Sequence, residues 1–246
     1  VANTVPNNTT LLTPANASSI TNRQPNFTWQ AVTDFDTNDN VIYNLYVSKF
    51  VDFSSLDIVA YNISNASYIS TTELGIGGGS QKYFWKIETY DNTSFGENSS
   101  TFEFTITSEV SISLNVSFVS FGTLNPGDRK NTTTSDPESL VVQNDGNTYI
   151  NVNISALDSL WDAVGLGTIY FQYAAGNYTG ETPAFNWSGS TTTFTNVPTS
   201  NTTFIDYLNY TNATDLARIH LLIRVPNDEP SGNKSSTLVI GAQLGE

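Results

Sequence analysis

Apolar and polar residues alternate with period two through nearly every hydrophobic stretch of this chain, the pattern of strands with one buried face. Phe27 and Trp29 point one way, while Asn26 and Thr28 point the other. The same alternation runs through Tyr43, Leu45 and Val47, through Tyr83, Trp85 and Ile87, and through Phe102, Phe104 and Ile106. It returns in Ile112, Leu114, Val116 and Phe118, which predicts one long strand. Further strands are expected over residues 149–155, 168–174, 218–225 and 237–242, where β-branched and aromatic residues dominate. Turn residues separate them: Asn125-Pro126-Gly127-Asp128, Asn144-Asp145-Gly146-Asn147, the Pro226 to Pro230 segment and the glycine loop 75–80. Helical spacing is confined to short turns at 156–161 and 204–208. The pattern predicts an all-β chain of two tandem β-sandwich domains, residues 1–107 and 108–246, dividing near residues 107–110.

A second pattern overlies the first. Seventeen asparagines stand in Asn-x-Ser/Thr acceptor sequences: Asn7, Asn8, Asn16, Asn26, Asn62, Asn65, Asn92, Asn98, Asn115, Asn131, Asn153, Asn177, Asn186, Asn201, Asn209, Asn212 and Asn233. With 28 Asn and 60 Ser and Thr in 246 residues, chance placement gives about 7 such sequons. The excess points to N-glycosylation, and so to an extracellular chain. Asn26, Asn115 and Asn153 fall within predicted strands on the polar, outward parity, so their glycans should project from solvated faces. Bare stretches remain at 27–61, 68–91, 156–176 and 236–246. Because glycans obstruct contact, those stretches are where subunit contacts are expected.

Composition narrows the partners. A hydrophobic share of 38%, with 14 Phe, 12 Tyr and 4 Trp, is enough to fill real cores. The net charge of −14 comes from 23 Asp and Glu against only 9 Lys and Arg. The surface is thus neutral and polar with few cations, which argues against a nucleic-acid partner, whose phosphates need clustered Lys and Arg, and disfavours anionic membranes. The chain has no cysteine, hence no disulfide and no thiolate metal site. Dense sequons without cysteine suggest an archaeal cell surface. The chain begins at Val1 and contains no Met, as a processed or excised segment would. No run of 18 apolar residues is present, so no membrane insertion is expected within this segment.

Candidate chemistry is sparse. The single histidine, His220, shares a strand parity with Arg218 and Leu222 and reads as a half-exposed structural residue. No Gly-x-Ser-x-Gly elbow accompanies it, and one His without Cys cannot supply a zinc site. Glu73, Glu88, Glu97 and Glu103 carry no glycosidase motif. Loop 75–80 lacks the Lys-Ser/Thr of a phosphate cradle. Asp34, Asp36 and Asn38 alternate hard oxygens along one loop. Two readings of that loop stand: a calcium site, or a turn between the Trp29 and Tyr43 strands. Calcium is the one cofactor the sequence suggests. Trp161 and Trp187 lie near loops, where an aromatic ring either packs into the core or stacks on sugar.

Residues 6–107 resemble a fibronectin type III-like domain. The resemblance rests on Leu11-Leu12-Thr13-Pro14, Pro25-Asn26-Phe27-Thr28-Trp29, Tyr43-Asn44-Leu45-Tyr46-Val47-Ser48, Leu74, Tyr83-Phe84-Trp85-Lys86-Ile87 and Phe102-Glu103-Phe104-Thr105-Ile106. It implies that Trp29 is core and that Tyr83 makes a corner with a preceding loop. Residues 109–246 resemble, over about 35 residues, the TasA/camelysin type of extracellular fibre subunit and its archaeal pilus relatives. The matching segments are Phe121-Gly122-Thr123-Leu124-Asn125-Pro126-Gly127-Asp128 and Leu140-Val141-Val142-Gln143-Asn144-Asp145-Gly146-Asn147, followed by Tyr149 to Ile154. The resemblance implies a jelly-roll or pilus-subunit-like sandwich whose copies join by adding strands at an open sheet edge. The expected function is therefore structural and non-enzymatic: a glycosylated subunit of a pilus-like surface filament or an S-layer-like coat, partnered by copies of itself. The alternative is an adhesin or carbohydrate-binding segment of a larger surface glycoprotein.

Overall fold

The computed structural model describes residues 3–36 and 40–245. It divides into two compact units, Val1–Ser108 and Glu109–Glu246, and both are built from strands.

In the first unit β1 (Leu11–Thr13), β3 (Asn26–Trp29) and β6 (Ser67–Ile69) form a three-stranded sheet in the order β1-β3-β6. The facing sheet runs β2 (Ser18–Ile20), β9 (Phe102–Thr107), β7 (Ser80–Tyr90), β4 (Ile42–Ser48), β5 (Ile58–Ile63), with β8 (Phe95–Asn98) also on β7. β5 pairs with β4 and makes no ladder with β6. Alternation supplies the core: Phe27 and Trp29 come from one sheet, and Leu45, Tyr83, Trp85, Ile87 and Phe104 from the other, all buried. Their rings interlock edge-on, with Phe27 5.1 Å from Trp85 and Trp29 5.3 Å from Tyr43. Such pairs add about 0.5–1.5 kcal/mol each beyond the area they bury. The corner implied for Tyr83 is present: its hydroxyl donates to the Gly75 carbonyl at 2.9 Å. Burial, reinforced by the Asp57 carboxylate, pushes that hydroxyl up to about 12.

The second unit pairs β10 (Ile112–Leu114), β12 (Leu140–Asn144), β17 (Leu216–Arg224), β14 (Phe171–Asn177) and β15 (Thr195–Asn196) in that order. β11 (Arg129–Asn131) joins the far end of β17. The opposing sheet is β16 (Thr202–Leu208), β13 (Ile150–Ala156), β18 (Leu238–Leu244). The Asn125-Pro126-Gly127-Asp128 turn forms as its residues predict: Asp128 N–H bonds the Asn125 carbonyl at 3.0 Å, with Gly127 at φ +84°.

Three expectations fail for identifiable reasons. Segment 204–208 is strand, not helical turn. Phe204, Ile205 and Leu208 are buried at helix-like spacing because a β-bulge sets Ile205 opposite Val152 but Leu208 opposite Ile150. The strand predicted through Phe118 stops at Leu114. Its partner β12 begins at Leu140, and Asn115 closes the ladder by giving its N–H to Val141 and accepting Val141 N–H on Oδ1. Residues 156–161 form no helix; the described helical turn is Trp187–Gly189.

Candidate functional site

All but three of the seventeen sequon asparagines are exposed; the others are Asn131 and Asn209, half-buried, and Asn153, buried. Asn26 lies outward as parity predicts; Asn115 is exposed too, but stands past the end of β10 with its Oδ1 turned to Val141 N–H. Asn153 is a correction, because only 4% of it is exposed. It sits on the polar face of β13, but β13 is the central strand of its sheet, and neighbours close over it. Its amide donates to Gln243 Oε1 at 3.3 Å, and its Oδ1 accepts the Thr203 hydroxyl at 2.6 Å. A sugar on Nδ2 would have to displace the Gln243 and Thr203 side chains that close over it. Glycopeptide mass spectrometry of the native protein is therefore expected to find Asn153 bare where exposed sites such as Asn26 and Asn65 carry sugar. Quantitative occupancy at Asn153 in correctly folded protein would contradict this packing.

The loop read as a calcium site is held by protein groups. Asp36 Oδ2 accepts the Thr4 backbone N–H at 2.7 Å and its hydroxyl at 2.8 Å, and Asp34 Oδ1 accepts Asp36 N–H at 2.9 Å. The Thr4 backbone bond, then the hydroxyl bond, holds the Asp36 carboxyl below its ordinary value. Asn38 lies outside the described residues. Among the described residues no group of three or more acidic or histidine side chains is placed to hold a metal ion. Asp34 Oδ2 is buried without a hydrogen-bond partner among the described residues.

The other candidates separate. Glu88 accepts bonds from Asn44 and Tyr46, Glu103 pairs with Lys82 at 2.9 Å, and Glu73 pairs with Arg23 at 3.3 Å. These contacts occupy the three carboxylates in strand and surface pairing. His220 is half-buried on β17, its ring against Gly176, where an added Cβ would stand 2.3 Å from Nε2. Burial first, then the Arg218 charge, lowers its pKa below the ordinary 6.5. The folded state thus favours neutral imidazole. That contribution to stability is complete above the ordinary value and is lost as pH falls through it toward the lowered one. Melting scans between about pH 5 and 8 should show the midpoint falling below about 6.5, and His220→Gln should flatten that limb. An unchanged slope in the variant would remove His220 as its source.

Trp161 is core, with its indole N–H donating to the Tyr170 carbonyl at 3.1 Å, so it offers no sugar platform. Trp187 is different: it is 49% exposed and stacks on Phe185 at 5.8 Å. Beside it opens a groove of about 590 Å³ whose walls include Tyr149, Phe185, Asn186, Tyr207 and Asn209. Periodicity could not have found Tyr207, because the bulge hides its orientation.

Among the described residues β18 presents an unpaired sheet edge, pairing with β13 alone. Gly245 N–H bonds the Tyr149 carbonyl and Leu157 N–H bonds the Thr237 carbonyl, so odd-numbered residues of β18 face β13. The N–H and C=O groups of Leu238, Ile240, Ala242 and Leu244 therefore face outward. By contrast β16, the other edge of that sheet, is covered: Thr191 and Asn186 N–H groups bond the Phe204 and Asp206 carbonyls. Leu238, Ile240 and Ala242 pack on the core but stay half-exposed at the open side.

No protein-family model matches the chain, and no curated protein matches it. Among solved structures it is similar to the FN1–FN3 fibronectin domains of chicken CNTN1. That likeness has 12% identity over 97% of this chain and 69% of the other, at a TM-score of 0.36. It is similar also to the CsuC–CsuE chaperone–tip adhesion subunit complex of Csu pili from Acinetobacter baumannii. There the identity is 11% over 99% of this chain and 100% of the other, again at TM-score 0.36. An alpha-L-rhamnosidase of Dictyoglumus thermophilum, 10% identical and with 28% of its chain covered, scores 0.33. At these scores no substrate, partner or assembly carries across. No helix among the described residues is long and apolar enough to cross a membrane.

Proposed function

We propose that the chain is a non-catalytic, extracellular building block of the cell surface, a glycosylated subunit of a pilus-like filament or S-layer-like coat that binds copies of itself. The observation that carries this reading is the open β18 edge. It is seven residues long, carries no charged side chain and no sequon, and leaves core residues half-covered. Natural sheets blunt such edges with charge, proline or covering segments, and among the described residues β18 has none of them. A second copy adding a strand would satisfy the outward backbone groups and complete the burial of Leu238, Ile240 and Ala242. The sequon-free residues 50–61 add exposed Phe50, Val51, Leu56, Val59 and Tyr61, a further surface suited to packing between copies. Glycans on the remaining faces would then shield the exterior.

Electron microscopy of protein taken from its native surface without refolding tests the reading. Regular filaments or a lattice are expected. Dispersed monomers would overturn it and favour an adhesin or carbohydrate-binding segment of a larger surface glycoprotein.

A further inference from the structure

At Tyr207 the backbone is left-handed, with φ +54°. That conformation costs a bulky residue about 1–2 kcal/mol. The bulge of β16 against β13 creates it, and the Tyr207 N–H, displaced from the ladder, is taken by Asn151 Oδ1 at 3.0 Å. The strain does not fill the core. Tyr207 is 36% exposed and turns toward Tyr149, 42% exposed, with ring centres 6.0 Å apart. The left-handed backbone thus turns an aromatic ring out of the sheet and into the open groove beside Tyr149.

Asn186 and Asn209, both sequon asparagines, help form the walls of the groove these rings face. Asn186 is held firmly. Its amide donates to Asp206 Oδ2 at 2.7 Å, and its Oδ1 accepts the Ser188 hydroxyl at 2.9 Å. Its backbone N–H bonds the Asp206 carbonyl at 2.9 Å. Gly189 makes room for this pair: a Cβ there would lie 2.4 Å from Asp206 Oδ2 and 2.7 Å from Asn186 Nδ2. A glycosylated amide keeps one hydrogen, enough for the Asp206 bond.

We propose that this groove seats the chain's own carbohydrate, rooted at Asn186, with its first sugar rings laid over Tyr207 and Tyr149. This rests on the glycoprotein reading above. Sugars present apolar C–H faces that stack on exposed rings, while their hydroxyls bond amides and carboxylates at the rim. A sugar tethered at the wall meets the rings at high effective concentration, so weak stacking suffices. A free oligosaccharide or a neighbour's glycan would have to share this space with sugar rooted in it.

The test combines glycopeptide mass spectrometry with NMR of native protein and of Ser188→Ala and Tyr207→Ala made in a glycosylating host. Expected are an occupied Asn186 and ring-shifted sugar protons with contacts to Tyr149 and Tyr207. Ser188→Ala should abolish those contacts and Tyr207→Ala should weaken them. Ser188→Ala should also lower the melting midpoint by about 3 °C in glycosylated protein. It should shift protein made without glycosylation far less, which separates the sugar from the lost Ser188 bond. A bare Asn186 beside occupied sites elsewhere overturns the groove assignment alone. No sugar at any sequon overturns the glycoprotein reading with it. Occupancy without ring contacts, or contacts that survive Ser188→Ala, also overturns it.

Discussion

Ala242→Pro is expected to abolish self-assembly while leaving the monomer folded, and Gln243→Pro to do the reverse damage. The two residues are neighbours on β18, yet their backbone groups face opposite sides. Ala242 N–H points to the open edge, where proline is tolerated because no ladder bond is lost. A strand arriving from another copy would find a donor missing and a ring in its path. An unmet partner costs about 1–3 kcal/mol, or about 5- to 150-fold in affinity at each contact. Repeated along a polymer, that loss leaves no filament. Gln243 N–H instead faces β13, so proline there breaks the internal ladder and also removes the side chain that accepts the Asn153 amide. Its melting midpoint should fall clearly. Sedimentation and melting curves on both variants read the difference. Filaments persisting in Ala242→Pro would move the contact elsewhere, with residues 50–61 the next surface to examine.

Much of the architecture was legible because period-two alternation needs only local sequence. Phe27, Trp29, Tyr83, Trp85 and Ile87 fall where parity puts them, and the Tyr83 corner follows from the resemblance. Errors arose where the period is broken or where a neighbour decides. The bulge in β16 turned a strand into an apparent helical turn and hid Tyr207. Asn153 had the right parity, but burial of its face depends on Thr203 and Gln243, fifty and ninety residues away in sequence. Trp161 looked loop-borne, yet the Tyr170 carbonyl and the core hold it. Site chemistry was less legible still. An Asx-rich loop reads the same whether its oxygens meet a cation or, as at Asp36, the N–H and hydroxyl of Thr4 more than thirty residues away.

Trp85→Ala is expected to cost the first unit about 3–5 kcal/mol, the range for emptying an aromatic site in a closed core. Trp85 is fully buried at the centre of β7, against Phe27 at 5.1 Å and Phe102 at 6.1 Å. Three strands meet there, so the cavity cannot collapse without moving the pairing of β7 with β4 and β9. A loss of that size is a large share of the stability of a domain this small. Trp85→Phe should cost much less. The indole N–H is buried and donates to no group among the described residues. Removing it therefore relieves a desolvation penalty that offsets part of the lost volume. Denaturant titration followed by circular dichroism distinguishes the two. If Phe costs as much as Ala, the indole nitrogen has a partner that matters, and the core of this unit is held by a polar contact as well as by packing.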